Sequence, residues 1–119
     1  MKYRRFAQSK YELKLLDLAE KDIDGICQYL SRFYPGTPGR FLDTLENNFE
    51  SIKYNPKMFP KYEYNREYRR SITGEFLVFY KIDEENNLVR IYRILHGKRN
   101  ISTILENLEN PSKHTENVP

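Results

Sequence analysis

The chain has 119 residues, 39% of them hydrophobic, which is enough for the core of one domain and too little for two. Its formal charge of +3 permits contact with an acidic partner or nucleic acid without requiring one. The single cysteine, Cys27, excludes an intramolecular disulfide framework. Because no run approaches the roughly 20 apolar residues of a membrane span and no secretory signal is present, we expect a cytoplasmic protein without a membrane partner.

The two ends of the chain differ in composition from its middle. Five basic residues crowd the start of the sequence: Lys2, Arg4, Arg5, Lys10 and Lys14. The final stretch, "NPSKHTENVP", is polar and has no apolar periodicity. We therefore predict a basic N-terminal extension over residues 1–9, a single domain over residues 10–108 and a flexible tail over residues 109–119.

The first elements in chain order are a strand and a helix. "YELKLLDL" alternates well enough to predict a strand over residues 11–16. Asp17 followed by Glu20 has the spacing of a capping box, which predicts that a helix begins there. Apolar side chains then recur at three- and four-residue spacing, as on the buried face of a helix over residues 17–33.

A second helix follows after a short break. "YPGTPGR" interrupts the first helix, and Thr37 has the character of an N-cap, with Pro38 at the first helical position. The apolar residues of "FLDTLENNFESI" share one face, which predicts a helix over residues 38–54. Two amphipathic helices joined by a short turn predict an antiparallel helical hairpin.

The second half of the chain has the pattern of strands. "EYRRSI", "FLVFYKI" and "LVRIYRIL" predict a three-stranded antiparallel meander, with a turn at Thr73 and Gly74 and a loop at "DEENN". "FLVFYKI" is apolar at both parities, as expected for a central strand. Spaced apolar residues from Ile101 to Leu108 predict a short last helix. This order predicts an α+β sandwich with its helices packed on one face of the sheet.

Several kinds of chemistry are excluded by the residue types present. The two histidines, His96 and His114, and the single cysteine form no ligand set of useful spacing for a metal. The sequence has no glycine-rich phosphate loop and no dinucleotide fingerprint. Serine and cysteine have no histidine–acid partnership nearby in sequence. We therefore expect neither a metal nor another cofactor.

A cationic set in the predicted meander is the main candidate for a site. Its members are Arg69, Arg70, Arg90, Arg93, His96, Lys98 and Arg99. Guanidinium groups bind phosphate bidentately, and a histidine can move a proton near neutral pH. Gly97 would let the chain turn sharply after the last strand and place His96 beside Lys98 and Arg99. If Ile72 points to the core, Arg69 points outward and Arg70 inward.

Each of these residues also has a structural interpretation. Charged groups at strand ends are commonly solvated, and an isolated histidine is commonly a hydrogen-bonded structural residue. Five tyrosines could stack on bases or could pack between helices and sheet: Tyr62, Tyr64, Tyr68, Tyr80 and Tyr92. The residue types leave both alternatives open.

Several segments together resemble the RelE/ParE superfamily of type II toxins. They are "AEKDIDGICQYL", the Pro38–Phe41 region, Asn55–Pro60, and "YRRSITGEFLVFYKIDEENNLVRIYRILHGKRNISTIL". The resemblance runs from about residue 10 to residue 105. It implies a RelE/ParE-like fold and a growth-inhibiting toxin, of the plasmid-stabilisation type, that a cognate antitoxin neutralises.

The resemblance implies two possible targets. RelE-like members cut mRNA on the ribosome by promoting attack of a ribose 2′-hydroxyl on the adjacent phosphate, whereas ParE-like members inhibit DNA gyrase. Under the nuclease interpretation His96, Arg99 and Arg69 would be the catalytic residues. Arg70, Arg93, Lys98 and Tyr80 would contact the phosphate or another target.

Two departures favour the ParE-like side. Leu105 stands where the nucleases have a tyrosine, and Phe76 stands where they have an arginine, while "RILHG" resembles the ParE-like ending. The ribosome-dependent endonuclease remains the alternative, and a small basic RNA-binding module is a third. The acidic "NISTILENLEN" argues against the third, because double-stranded-RNA modules place a lysine-rich helix there.

Overall fold

A computed structural model describes residues 11–33 and 35–109. Its elements are β1 (Glu12–Leu15), α1 (Asp17–Ser31), α2 (Thr37–Tyr54), a 3₁₀ turn (Pro56–Met58), β2 (Arg69–Thr73), β3 (Phe76–Asp83), β4 (Leu88–His96) and α3 (Ile101–Glu109). This order confirms the predicted succession. The predicted N-terminal extension, and the predicted tail from residue 110 onward, lie outside the described residues. Within the described ranges, no helix is long and apolar enough to cross a membrane.

The four strands form one mixed sheet in the order β1–β4–β3–β2. The last three strands are the predicted antiparallel meander. The helical hairpin carries the chain across the sheet, so that β1 lies parallel to β4. Between the pairs Phe79–Arg93 and Tyr80–Ile91, β4 has one extra residue, Tyr92, which forms a β-bulge.

The α1–α2 hairpin covers one face of the sheet. Leu45 and Ile52 of α2 pack in the same core cluster as Ile91 and Ile94 of β4. These two β4 residues are three positions apart and still share a face, because the bulge at Tyr92 shifts the alternation. Each buried leucine or isoleucine of this kind stabilises the fold by about 2 kcal/mol.

The helix α3 covers the opposite face, although the sequence predicted all helices on one face. Ile101 and Leu105 of α3 pack with Phe79, Leu95 and Tyr68 in a second core cluster. Phe79 and Leu95 point away from the hairpin because successive strand residues point to opposite faces. The two-sided apolar pattern of "FLVFYKI" therefore marks a strand that is buried on both faces.

Both hairpin helices begin close to their predicted starts, but neither uses the predicted cap. Leu16 is the N-cap of α1, with no side-chain cap hydrogen bond. Asp17 and Glu20 instead lie in the first turn, where negative charge is favoured by the positive end of the helix dipole. Thr37 is already helical in α2, and its Oγ1 accepts a hydrogen bond from Arg40 Nη2 at 3.3 Å.

Candidate functional site

A groove of about 670 Å³ lies between α1 and the end of the sheet where β4 finishes. Apolar, acidic and basic side chains share its walls. The lining residues are Asp22, Gly25, Ile26, Tyr29, Glu75, Phe76, Ile94, His96, Lys98 and Arg99. We call this the His96 groove. It brings together three of the residues predicted for the site, namely His96, Lys98 and Arg99.

The end of β4 places His96 in this groove. His96 forms the last pair of the β3–β4 ladder, opposite Phe76. The amide of Gly97 donates to the Glu75 carbonyl at 3.0 Å, and the amide of Arg99 donates to the His96 carbonyl at 3.0 Å. A Cβ on Gly97 would lie 3.7 Å from the Glu75 carbonyl oxygen, which is an ordinary contact. Hydrogen bonds therefore define this turn, and the predicted need for glycine is not found.

Both ring nitrogens of His96 already have partners within the protein. The backbone amide of Lys98 donates to Nδ1 at 3.1 Å, so Nδ1 carries no proton. The neutral ring therefore holds its proton on Nε2, which lies 2.9 Å from Glu75 Oε1. The ring also packs edge-on against Phe76, with 5.4 Å between centroids. In this structure each ring nitrogen of His96 therefore has a hydrogen-bond partner within the protein.

The free cations of the groove are Lys98 and Arg99. Both side chains are exposed, and neither forms an ion pair with any residue that the structure describes. Within the described ranges no group of three or more His, Cys, Asp or Glu residues could hold a metal ion. The exposed side chains of Lys98 and Arg99 can contact an anionic group of a partner.

Arg93 holds α1 against β4 instead of facing a target. Its Nε and Nη2 donate to Asp22 Oδ2 and Oδ1 at 2.7 and 2.8 Å, a bidentate pair. Asp22 Oδ2 also accepts the backbone amide of Ile94 at 2.9 Å. The side chains of Arg93 and Asp22 are only 15% and 11% exposed. The predicted target contact at Arg93 is thus an internal ion pair in this structure.

The sheet separates Arg69 from the His96 groove. Arg69 pairs with Tyr80 of β3, whereas His96 pairs with Phe76 of the same strand. Those β3 positions are four residues apart, which corresponds to roughly 13 Å along a strand. One phosphate group cannot contact both side chains across that span. Arg69 therefore lies outside the groove that contains His96 and Arg99 in this structure.

The side chain of Arg69 also points opposite to the predicted direction. Ile72 is 57% exposed, whereas Ser71 is buried, so Arg69 shares the hairpin face with Ser71. Its Nη1 donates to the backbone carbonyls of Phe59 at 2.7 Å and Lys57 at 3.4 Å. Arg69 thus fixes the segment that follows the 3₁₀ turn onto the edge of the sheet.

Arg70 and Tyr80 likewise lie away from the His96 groove. Arg70 is partly buried opposite Phe79, on the α3 face of the sheet. Tyr80 has no exposed surface, and its hydroxyl donates to the Pro56 carbonyl at 2.6 Å. Burial raises the pKa of Tyr80 far above its ordinary value. Tyr80 therefore lies in the core and presents no surface to a target in this structure.

The positions that distinguish the chain from the nucleases are apolar and packed. The ring of Phe76 lies edge-on to Phe41, with 5.2 Å between centroids, and also contacts His96. Leu105 is a fully buried residue of α3 and packs on the face of the sheet away from the hairpin. Neither position offers a polar group to a reacting phosphate.

Three residues with polar side chains in the groove were not predicted as site residues from the sequence: Asp22, Tyr29 and Glu75. The position of Glu75 could have been predicted, because this residue lies in the β2–β3 turn and the meander brings that turn to the end of β4. Asp22 and Tyr29 lie on α1, far from His96 in sequence. No local pattern shows which side of a helix meets the end of a distant strand.

Comparisons with known proteins agree with this fold. Residues 13–101 match the family model described as the ParE toxin of the type II toxin–antitoxin system parDE. The fold is similar to that of the chromosomal ParDE system from P. aeruginosa, with a TM-score of 0.64 and 14% identity over 75% of this chain and 98% of that one.

A second solved structure has the same fold at lower similarity. The toxin–antitoxin complex RelBE2 from Mycobacterium tuberculosis gives a TM-score of 0.52 and 19% identity, over 72% of this chain and 96% of that one. A search of curated proteins gave no significant match. Because the family match spans well over half of the sequence, the chain belongs to the ParE toxin family of type II toxin–antitoxin systems.

Proposed function

We propose that this toxin inhibits growth in the cytoplasm by binding DNA gyrase and blocking it without cutting RNA. A cognate antitoxin would neutralise it, in a system of the plasmid-stabilisation type. The observation that carries the proposal is the bonding of His96, whose ring nitrogens are both engaged by Lys98 and Glu75. A binding inhibitor needs surface complementarity, whereas a nuclease needs a base that can accept a proton.

The side chains of the His96 groove do not provide the base that RNA cleavage requires. Attack by a 2′-hydroxyl requires removal of its proton, and a positioned base typically contributes about 10²–10⁴-fold to such a step. Phe76 and Leu105 are apolar and packed, and His96 has no free nitrogen. Arg99 and Lys98 could stabilise negative charge on a phosphate. Charge stabilisation without a base supports binding better than it supports cleavage.

The same groove has the composition of a protein-binding surface. Ile26, Phe76 and Tyr29 provide apolar and aromatic contact area, and Tyr29 is 55% exposed. Lys98 and Arg99 lie at the edge and have no ion-pair partner among residues 11–33 and 35–109. Interfaces between proteins commonly combine an aromatic, apolar centre with a polar rim that includes arginine. We therefore assign target binding to the His96 groove.

A supercoiling assay with purified gyrase tests this assignment. Wild type should inhibit supercoiling, and the double variant Lys98→Gln/Arg99→Gln should inhibit it much less, because the rim cations are gone. Lys14→Gln/Arg66→Gln, which removes the same charge from exposed positions of β1 and of the loop before β2, is the matched control and should behave as wild type. Absence of inhibition by folded wild-type protein would contradict the proposal.

We also propose that a segment of the antitoxin binds beside this groove. Tyr29 and Phe33 stack edge to face at 5.1 Å and are 55% and 57% exposed. With Lys98 and Arg99 nearby, they suit an amphipathic segment that carries acidic residues. The solved ParDE and RelBE2 neighbours are toxin–antitoxin systems, which supports such a partner.

Co-expression tests the antitoxin. Induction of this chain alone should slow growth, and co-expression of the product of the adjacent open reading frame should restore it. Tyr29→Ser/Phe33→Ser should weaken the complex of the two proteins, since it removes the exposed aromatic pair. Normal growth at verified levels of the wild-type chain alone would contradict toxicity.

The ribosome-dependent endonuclease is the second candidate function. Arg99 favours it, because this side chain is exposed, unpaired within the described residues and preceded by Gly97 and Lys98. Under this alternative, purified wild type would cut mRNA on ribosomes, and Arg99→Ala would remove the cut. Primer extension on translated mRNA distinguishes the two functions.

A further inference from the structure

A second groove, of about 390 Å³, lies at the opposite end of the sheet from His96. Five basic side chains line it, namely Lys57, Lys61, Arg66, Arg69 and Lys81, and only two carboxylates do. We call this the basic groove. The side chains that line it have a net formal charge of +3, and the net formal charge of the whole chain is also +3.

Lysines engage the two carboxylates of the basic groove. Glu84 Oε2 lies 2.6 Å from Lys57 Nζ, and its Oε1 accepts the Tyr11 hydroxyl at 2.9 Å. Glu67 Oε1 lies 4.0 Å from Lys81 Nζ. Neither carboxylate pairs with the remaining three cations of the groove. The positive charge of Lys61, Arg66 and Arg69 therefore has no counter-ion among the described residues.

Arg69 is held in position without being neutralised. Its Nη1 donates to two backbone carbonyls, those of Phe59 and Lys57, which are neutral dipoles. Its other N–H groups have no partner among the residues that the structure describes. A guanidinium that is fixed at one nitrogen and unpaired at the others is pre-organised to bind an anion, because little side-chain freedom is left to lose.

We infer that the basic groove binds the phosphodiester backbone of single-stranded nucleic acid. Three uncompensated cations on one surface match a ligand with regularly spaced negative charges, and the arginine fork fits two oxygens of one phosphate. Tyr64 lies in the loop between Lys61 and Arg66, and its ring packs edge-on against Tyr62 with 5.5 Å between centroids; the side chain is still 69% exposed, and this exposed part is the surface offered to a base. This activity goes beyond gyrase inhibition, which requires no nucleic-acid site on the toxin.

An acidic protein segment is the competing ligand, and the groove itself argues against it. Two glutamates already lie within the groove, and each of them pairs with a lysine and leaves Arg69 unpaired. The lysines satisfy carboxylates as point charges, whereas the two arginines retain donors arranged for phosphate. The combination of spare arginines and an exposed tyrosine therefore favours nucleic acid.

Fluorescence anisotropy with the full chain tests the inference. The probes are a labelled single-stranded RNA and the DNA of the same sequence, titrated over a range of salt concentrations. Lys61→Gln/Arg66→Gln should weaken the binding of both probes and reduce the slope of log affinity against log salt by about 1.4, or about 0.7 for each cation removed. Lys21→Gln/Arg32→Gln removes the same charge elsewhere and should leave both quantities near those of wild type.

The same experiment contains the results that would overturn the inference. The first is the absence of binding by wild type, and the second is an equal loss of oligonucleotide affinity in the two double variants. The third is tighter binding of a polyglutamate peptide than of either oligonucleotide. Similar effects on RNA and DNA would support recognition of the shared phosphodiester. Circular dichroism of each variant establishes that its fold is intact, which is expected because Lys61 and Arg66 are exposed and Arg69 is unchanged.

Discussion

The two ends of the sheet carry similar side chains and use them differently. In the His96 groove, Asp22 pairs with Arg93 and Glu75 contacts His96, so Lys98 and Arg99 have no ion-pair partner among the described residues. In the basic groove, the positive charges of Lys61, Arg66 and Arg69 have no counter-ion among the described residues. At the first end an ion pair and a doubly bonded histidine stabilise the structure, while at the second an arginine is fixed by neutral carbonyls. The type of a charged residue at a strand end therefore does not by itself indicate its role. Its role depends on whether another group of the protein pairs with that charge.

The largest expected effect concerns the internal ion pair at the His96 end. Arg93→Ala should lower the free energy of unfolding by about 3 kcal/mol, because it leaves Asp22 charged and largely buried without its partner. Urea unfolding followed by circular dichroism measures this loss. In the double variant Asp22→Leu/Arg93→Leu, much of the lost stability should return, since no unpaired charge remains. A loss for Arg93→Ala of well under 1 kcal/mol would show that the pair is not structural.

At the other end, the matching test is the buried hydroxyl of Tyr80. Tyr80→Phe should lower the free energy of unfolding at neutral pH by about 1.5 kcal/mol, because the buried carbonyl of Pro56 loses its donor. The measurement is again the urea midpoint. An unchanged midpoint would mean that water replaces the hydroxyl.

The same residue gives a prediction for alkaline pH. Burial raises the pKa of Tyr80 above its unfolded value of about 10, so the folded state favours the protonated phenol. That contribution is complete below about pH 10 and is lost as the pH rises further. Wild type should therefore lose stability more steeply above pH 10 than Tyr80→Phe does. Parallel curves for the two proteins would contradict this, although Tyr11 and Tyr62 contribute a slope common to both.

The two turns near His96 give the smallest expected effects. Gly74 has a φ of 61°, so Gly74→Ala should cost about 1 kcal/mol of unfolding free energy. Gly97 is not in the left-handed region, and a Cβ there would make an ordinary contact. Gly97→Ala should therefore change the midpoint very little, and a larger loss for Gly97→Ala than for Gly74→Ala would contradict the turn geometry.

Much of the fold was predictable because it depends on local patterns. The three- and four-residue spacing defined the hairpin helices, and the two-sided apolar pattern of "FLVFYKI" indicated a central strand. The side of the sheet covered by α3 was not predictable, because a helix with one apolar face can pack on either side. The bulge at Tyr92 also gave no sequence signal, and it changes which residues of β4 share a face.

The site was less predictable because its contacts are distant in sequence. The sequence placed Arg69, Arg93, His96 and Arg99 in one cationic set, but the strand register puts Arg69 four β3 positions away from His96, and Arg93 is paired with Asp22. Asp22 neutralises Arg93 across 71 positions of the chain. Hydrogen bonds to backbone carbonyls, such as those of Arg69, depend on where another segment lies and have no signature in residue type.

The most direct test of the central claim is primer extension on mRNA translated with purified wild-type toxin and ribosomes, beside His96→Ala and Arg99→Ala. The claim is that this toxin acts by binding and that His96 transfers no proton. We expect no cleavage by wild type or by either variant, together with inhibition of gyrase supercoiling by wild type. Ribosome-dependent cuts by wild type that disappear in His96→Ala would contradict the claim and establish the nuclease.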